Sequence, residues 1–203
     1  MYLQRILGSK TKINVLASLV SNLEELYVEK DLARECGASL SEVNRQMPDL
    51  VDSGLVIMQR MAKVKVYRIN TEHFLFAPLE KLFKDLVLIY KEIADQIVNF
   101  IIERHKIEAV ILLGSLRKES LKEDIVKEPS DIDLLFVVEE KKDVEKDLIG
   151  FINKEISMKY GIVVYPMVLS KKEYIVGLED SSLVIEAHSH GELMYGEKPR
   201  RFV

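Results

Sequence analysis

The stretch AVILLGSLRKESLKEDIVKEPSDIDLLFVV, residues 109–138, decides how the second half of this chain folds. An apolar run stops at Gly114-Ser115, a charged segment follows, and Asp131-Ile132-Asp133 opens a second apolar run. Both runs are short and rich in Val, Ile, Leu and Phe, as buried strands are. Alternation then puts Asp131 and Asp133 on one face, with Ile132 and Leu134 pointing into the core. Two carboxylates so placed suit one or two divalent cations. Gly114-Ser115 closes the neighbouring strand and opens a polar helix predicted over 115–124. Glycine there lets backbone approach a phosphate, and a helix N-terminus offers unpaired N–H groups to it. A phosphate cradle beside paired acids is the equipment of metal-assisted phosphoryl or nucleotidyl transfer. The plain alternative is a strand cap whose acids face water.

Outward from that stretch the pattern alternates. KKDVEKDLIGFINKEISMKYG (141–161) is an amphipathic helix ending at Gly161, and IVVYPMVLS (162–170) is a third strand. SKKEYIVGL (170–178) and SSLVIEAHSHGEL (181–193) read as helices. Residues 106–203 thus form an α/β layer with a small mixed sheet. Before it, residues 71–105 carry apolar side chains every three or four places after Pro78, from Leu79 to Phe100. One long helix, or two end to end, connects the halves, and its wide apolar face packs on something. His73 and His105 have no partner at metal-ligand spacing and read as surface residues.

Residues 1–70 differ in pattern. Ile13, Leu16, Leu19 and Val20 fall at helical spacing, and VEKDLARECG (28–37) suits a helix ended by Gly37. Ser39 with Glu42 three places on is a capping-box signature for a third helix over 39–53. Val43, Met47, Leu50 and Val51 form its buried stripe, Ser41, Asn44 and Arg45 project outward, and Gly54 stops it. Pro48 inside it removes the hydrogen bond to the Asn44 carbonyl and predicts a kink. LVIMQR (55–60) and KVKVYRIN (63–70) then make a hairpin around Met61-Ala62-Lys63, with Lys63, Lys65 and Arg68 along one arm.

A net charge of −4 excludes a protein that coats nucleic acid by bulk electrostatics. Residues 1–70 nevertheless hold ten Lys/Arg against eight Asp/Glu, whereas the remainder holds nineteen against twenty-five. The contrast has the sign of a DNA-facing front half. Cys36 is the sole cysteine, which excludes an internal disulfide and fits a reducing compartment. INVLASLV (13–20) is short for a signal peptide and reads as one face of an amphipathic helix, and no apolar run reaches the length that spans a bilayer. The expected location is the cytoplasm, away from membranes. Abundant Lys and Glu without tryptophan hint at a heat-adapted source.

LARECGASLSEVNRQMPDLVDSGLV (32–56), between its helices and the basic hairpin, resembles winged helix-turn-helix transcription regulators. The resemblance implies that Ser41, Asn44 and Arg45 face bases of double-stranded DNA and that Lys63 and Lys65 face phosphates. A winged helix used only for protein contacts is the alternative. Gly114-Ser115 followed by SDIDLLFVV, with the tail EAHSHGELMYGEKP (186–199), resembles the minimal nucleotidyltransferases of the DNA polymerase beta superfamily over residues 90–197. Carried over, Gly114 and Ser115 hold the triphosphate of ATP or another NTP, and Asp131 and Asp133 hold Mg2+ and carry catalysis. Arg117 and Lys118 touch phosphate. Three features depart from the family: the third carboxylate is absent from 161–170, the glycine after Gly-Ser is missing, and the gap to Asp131 is long. Glu123, Asp124 or Glu128 are the substitutes at hand.

The expected fold class is therefore α+β: a winged helix (1–70), a connecting helix (71–105) and a nucleotidyltransferase-like domain (106–203). The expected function is a DNA-binding regulator, a homodimer, whose C-terminal domain binds metal-nucleotide as a sensor. The alternative is an active enzyme moving a nucleoside monophosphate to a small-molecule or protein hydroxyl, a toxin-like partner included.

Overall fold

The architecture is mixed α+β, with one two-stranded and one four-stranded sheet. A computed structural model describes residues 2–117 and 131–200. Of these, residues up to Val87 form one compact unit and residues from Leu88 onward another.

The N-terminal unit opens with α1 (Tyr2–Leu7), which the apolar pattern did not announce, and α2 (Lys10–Ser21). Ile13, Val15, Ala17, Leu19 and Val20 of α2 are buried. α3 (Glu29–Cys36) packs beside it and ends where Gly37 turns left-handed at φ +59°. Asn14, itself buried, donates to the Cys36 carbonyl at 3.2 Å, so the α2–α3 contact includes a satisfied polar tie. α4 (Leu40–Asp52) starts at Ser39, whose hydroxyl accepts the Glu42 N–H at 3.2 Å. The return half of the expected capping box is absent, because the Glu42 carboxylate takes Arg45 and Gln46 instead. Pro48 does not interrupt α4, which stays helical to Asp52.

β1 (Val56–Met61) and β2 (Val64–Ile69) pair antiparallel across the two-residue turn Ala62-Lys63, where Ala62 adopts φ +55°. Tyr27 exchanges both backbone hydrogen bonds with Tyr67, adding an isolated one-residue bridge to the other side of β2. One hydrophobic core joins all these elements, with Val43, Met47 and Leu50 of α4 and Phe83 of the next helix inside it.

That next helix, α5 (Phe76–Ile102), is a single 27-residue element. The unit boundary falls inside it, so Phe83 serves the N-terminal core while Ile93, Ala94, Ile97 and Ile101 are buried in the C-terminal unit. Neither histidine flanking α5 is a bare surface residue. His73 accepts from the Leu75 N–H through Nδ1 and meets the Ser53 carbonyl through Nε2, each at 3.2 Å. His105 sets Nε2 3.0 Å from Asp147.

In the C-terminal unit β3 (Ile107–Leu113) and β4 (Ile132–Val138) are antiparallel neighbours. Beyond them come α6 (Lys142–Phe151), extended by a π-helical stretch Ile152–Ser157 and a last turn Met158–Tyr160, then β5 (Val164–Ser170). α7 (Lys171–Asp180), α8 (Ser182–His190) and β6 (Glu192–Gly196) complete the unit. The sheet order is β5-β4-β3-β6, with β4–β5 parallel and the other pairs antiparallel. Pro166 sits in the outer strand β5. A true capping box starts α7, where Ser170 and Glu173 satisfy each other's backbone N–H groups at 3.2 and 2.7 Å. Both faces of β4 are apolar: Leu135 and Val137 lie under Tyr174, Val184 and Ala187 of α7 and α8, and Ile132, Leu134 and Phe136 are buried on the other side.

Candidate functional site

Two candidate sites stand in different units, and each is built locally. In the C-terminal unit the β3–β4 register sets Leu113 opposite Asp133, so the turn leaving β3 runs beside the start of β4. Gly114 opens that turn at φ +72°, a left-handed conformation that a side chain resists. A methyl group on Gly114 would lie 2.7 Å from Asp133 Oδ2. Glycine is required here for conformation and for the carboxylate's space. A 3-10 turn, Gly114–Leu116, follows β3, and most of the helix expected over 115–124 lies outside the described residues.

Asp133 is partly buried, and Asp131 just before β4 shares its face. Burial, and then the negative charge of Asp131, holds the Asp133 carboxyl above the ordinary carboxylate range. Ser115 is exposed. Arg117 is committed locally: Nε donates to the Gly114 carbonyl at 2.9 Å and Nη1 to the His190 carbonyl at 3.0 Å. It fastens the turn to the end of α8. Lys118, Glu123, Asp124 and Glu128 lie outside the described residues.

The expected lack of a third acid takes a definite form. β5 runs parallel to β4 with Tyr165 opposite Asp133 and Met167 opposite Leu135, so a tyrosine fills the place beside the carboxylate. Among the described residues no group of three or more His, Cys, Asp or Glu side chains converges. Two carboxylates alone still fit Mg2+, which keeps several waters and often takes one or two protein carboxylates plus phosphate oxygens.

In the N-terminal unit Ser41, Asn44 and Arg45 are exposed on α4, as the helical stripe requires. Arg45 forms an ion pair with Glu42 one turn back. Lys63 occupies the hairpin turn and Lys65 the start of β2, both exposed. Arg68 lies on the opposite face of the strand from Lys65, so these three do not share one face. Sequence reasoning missed Arg60, which pairs directly across the hairpin with Lys65. The signal was available in the two-residue turn, because registering Met61 with Val64 forces Arg60 onto Lys65. Like charges directly opposite each other destabilise a hairpin. Lys65 is answered only by Glu29 at 4.0 Å, and Arg60 by no ion pair among the described residues. Arg60, Lys63 and Lys65 therefore gather three cations at the hairpin tip.

No family model matches the chain, and no curated protein matches it. Among solved structures it is similar to that of TrmBL2, described as an archaeal chromatin protein with a novel mode of DNA binding. The identity is 15%, covering 85% of this chain and 70% of that one, with a TM-score of 0.26, too low to carry an argument. Among the described residues no helix is long and apolar enough to cross a membrane.

Proposed function

We propose that the chain is a DNA-binding regulator: a winged helix-turn-helix joined to a nucleotidyltransferase-fold domain that binds a nucleotide with Mg2+ as a signal. The observation that carries the first half is the cation cluster at the hairpin tip. Arg60 facing Lys65 across one rung, with Lys63 in the turn, is unfavourable alone and favourable against a phosphate backbone. α4 then supplies Ser41, Asn44 and Arg45 to base edges, with Arg45 released from Glu42 on binding.

In the second half Gly114 and Ser115 border the triphosphate, and Asp131 and Asp133 hold the metal. The metal's contribution is charge neutralisation on the phosphates. Tyr165 beside Asp133 supports binding over transfer, because no β5 carboxylate is there to take a proton from an acceptor hydroxyl.

The test is fluorescence anisotropy of labelled duplexes titrated with the full chain across a salt series. Wild type should show a steep fall of log K with log salt. Arg60→Ala, Lys63→Ala and Lys65→Ala should each flatten the slope by about 1. Three unchanged slopes would remove the hairpin from the account. Calorimetry with ATP and GTP, with and without Mg2+, tests the second half, and Asp131→Asn with Asp133→Asn should abolish the metal-dependent part.

A further inference from the structure

Between α4 and the hairpin of the N-terminal unit lies a cavity of about 330 Å3. Met47, Pro48, Val51 and Met58 give it an apolar wall. Glu29, Asn44, Asp52, Lys65 and Tyr67 border it as well. The volume is at the small end of ligand pockets, and the lining divides between an apolar wall and a polar, charged rim.

Three observations set the charge of an occupant. The last turn of α4 carries two acids, Asp49 and Asp52, and no base. Acids there face the negative end of the helix dipole and are misplaced unless a cation answers them. Lys12 answers Asp49 at 2.7 Å, while the Asp52 carboxylate has no hydrogen bond or ion pair among the described residues, and Asp52 lines the cavity. Secondly, Pro48 lacks an N–H, so the Asn44 carbonyl one turn earlier loses its α-helical donor, and both residues border the cavity. Thirdly, the Glu29 carboxylate accepts from Tyr67 Oη at 2.6 Å, and Lys65 is 4.0 Å away, which leaves it acceptor capacity. The rim is thus rich in acceptors, with two carboxylates against one ammonium.

We infer that this cleft is an effector site for a small organic cation, a primary amine on an apolar body. The ammonium does for Asp52 what Lys12 does for Asp49, and the body lies on Met47, Pro48, Val51 and Met58. Because Asn44 and Lys65 line the cleft and are assigned to DNA above, an occupied cleft blocks them. That consequence rests on the proposed DNA binding; the amine site itself does not.

The probe is hexylammonium chloride titrated calorimetrically into the full chain, with hexanoate and ammonium chloride as controls. Hexylammonium should bind saturably and neither control should. Asp52→Asn, a change at an exposed position, should weaken binding at least about tenfold, the scale of a lost charged hydrogen bond. Val51→Phe, which fills the cleft, should abolish it, with melting by circular dichroism confirming that both variants fold. Absence of saturation at about 10 mM, where even a millimolar site is filled, overturns the inference. Equal binding of hexanoate, or unchanged affinity in Asp52→Asn, overturns it equally. Duplex anisotropy is then repeated with hexylammonium. A chain that binds the amine but never DNA refutes the regulator and leaves the amine site standing, whereas DNA binding without amine binding does the reverse.

Discussion

Gly114→Ala places a methyl group where the turn and the Asp133 carboxylate leave no room, and its cost can be worked from two terms. The left-handed backbone at φ +72° penalises a side chain by about 1–2 kcal/mol. The new carbon would sit 2.7 Å from Asp133 Oδ2, inside the 3.0 Å that such carbons do not cross. Turning the short Asp133 side chain away costs about 0.5–1.5 kcal/mol in rotamer strain. Alanine also restricts the unfolded chain, returning about 0.4–1 kcal/mol. The net expectation is a loss of about 1–2.5 kcal/mol. The two terms separate in a double-mutant cycle, since Asp133→Ala removes the clash and keeps the backbone penalty. Gly114→Ala should therefore cost about 0.5–1.5 kcal/mol less in the Asp133→Ala background. The chain has no tryptophan, so urea unfolding is best followed by circular dichroism, reading the transition of the C-terminal unit. Equal losses in both backgrounds would refute the Gly114–Asp133 contact, and no loss in either would refute the turn.

The same substitution elsewhere should act with either sign. Gly196→Ala drives a methyl group to 2.0 Å from the Glu108 backbone oxygen at φ +72° and should cost about 2–5 kcal/mol by urea unfolding. Gly150→Ala, in the α6 interior with open space around it, should gain about 0.5–1 kcal/mol. Alkaline titration read at the phenolate absorbance should show Tyr27, Tyr67 and Tyr174 ionising late. Burial raises all three, the Tyr174 phenol to about 12. For a phenol raised in the folded state, the stabilisation is complete below the unfolded value near 10 and disappears as pH rises through 12. Tyr174→Phe should therefore blunt alkaline unfolding of the C-terminal unit, and an unchanged alkaline midpoint would count against its burial.

Periodicity carried much of this architecture into view. The α2, α4 and α5 stripes, the hairpin, and the strands β3, β4 and β5 were legible because each repeats its apolar residues at the period of its own geometry. β6 was not. Glu192–Gly196 is short, has two exposed apolar residues in Leu193 and Tyr195, and gains its ladder only from β3. Nor could local signals separate the half-formed capping box at Ser39 from the complete one at Ser170, since Arg45 and Gln46 compete for Glu42. At the candidate site the Gly114–Asp133 juxtaposition followed from two strands ending side by side. The locking of Arg117 onto His190 spans 73 positions and had no local trace.

Among the described residues the two margins of the four-stranded sheet differ. Its outer strand β5 carries Pro166, and a proline on an edge strand turns its missing N–H outward, so an incoming strand finds a gap in the ladder. β6 at the other margin has no proline, and Leu193 and Tyr195 are exposed along it. Crowded chains, at high concentration or during refolding, would therefore begin to stick along the β6 margin rather than the β5 one. A single charged residue placed there, such as Leu193→Lys, is the economical guard for anyone who needs this protein concentrated.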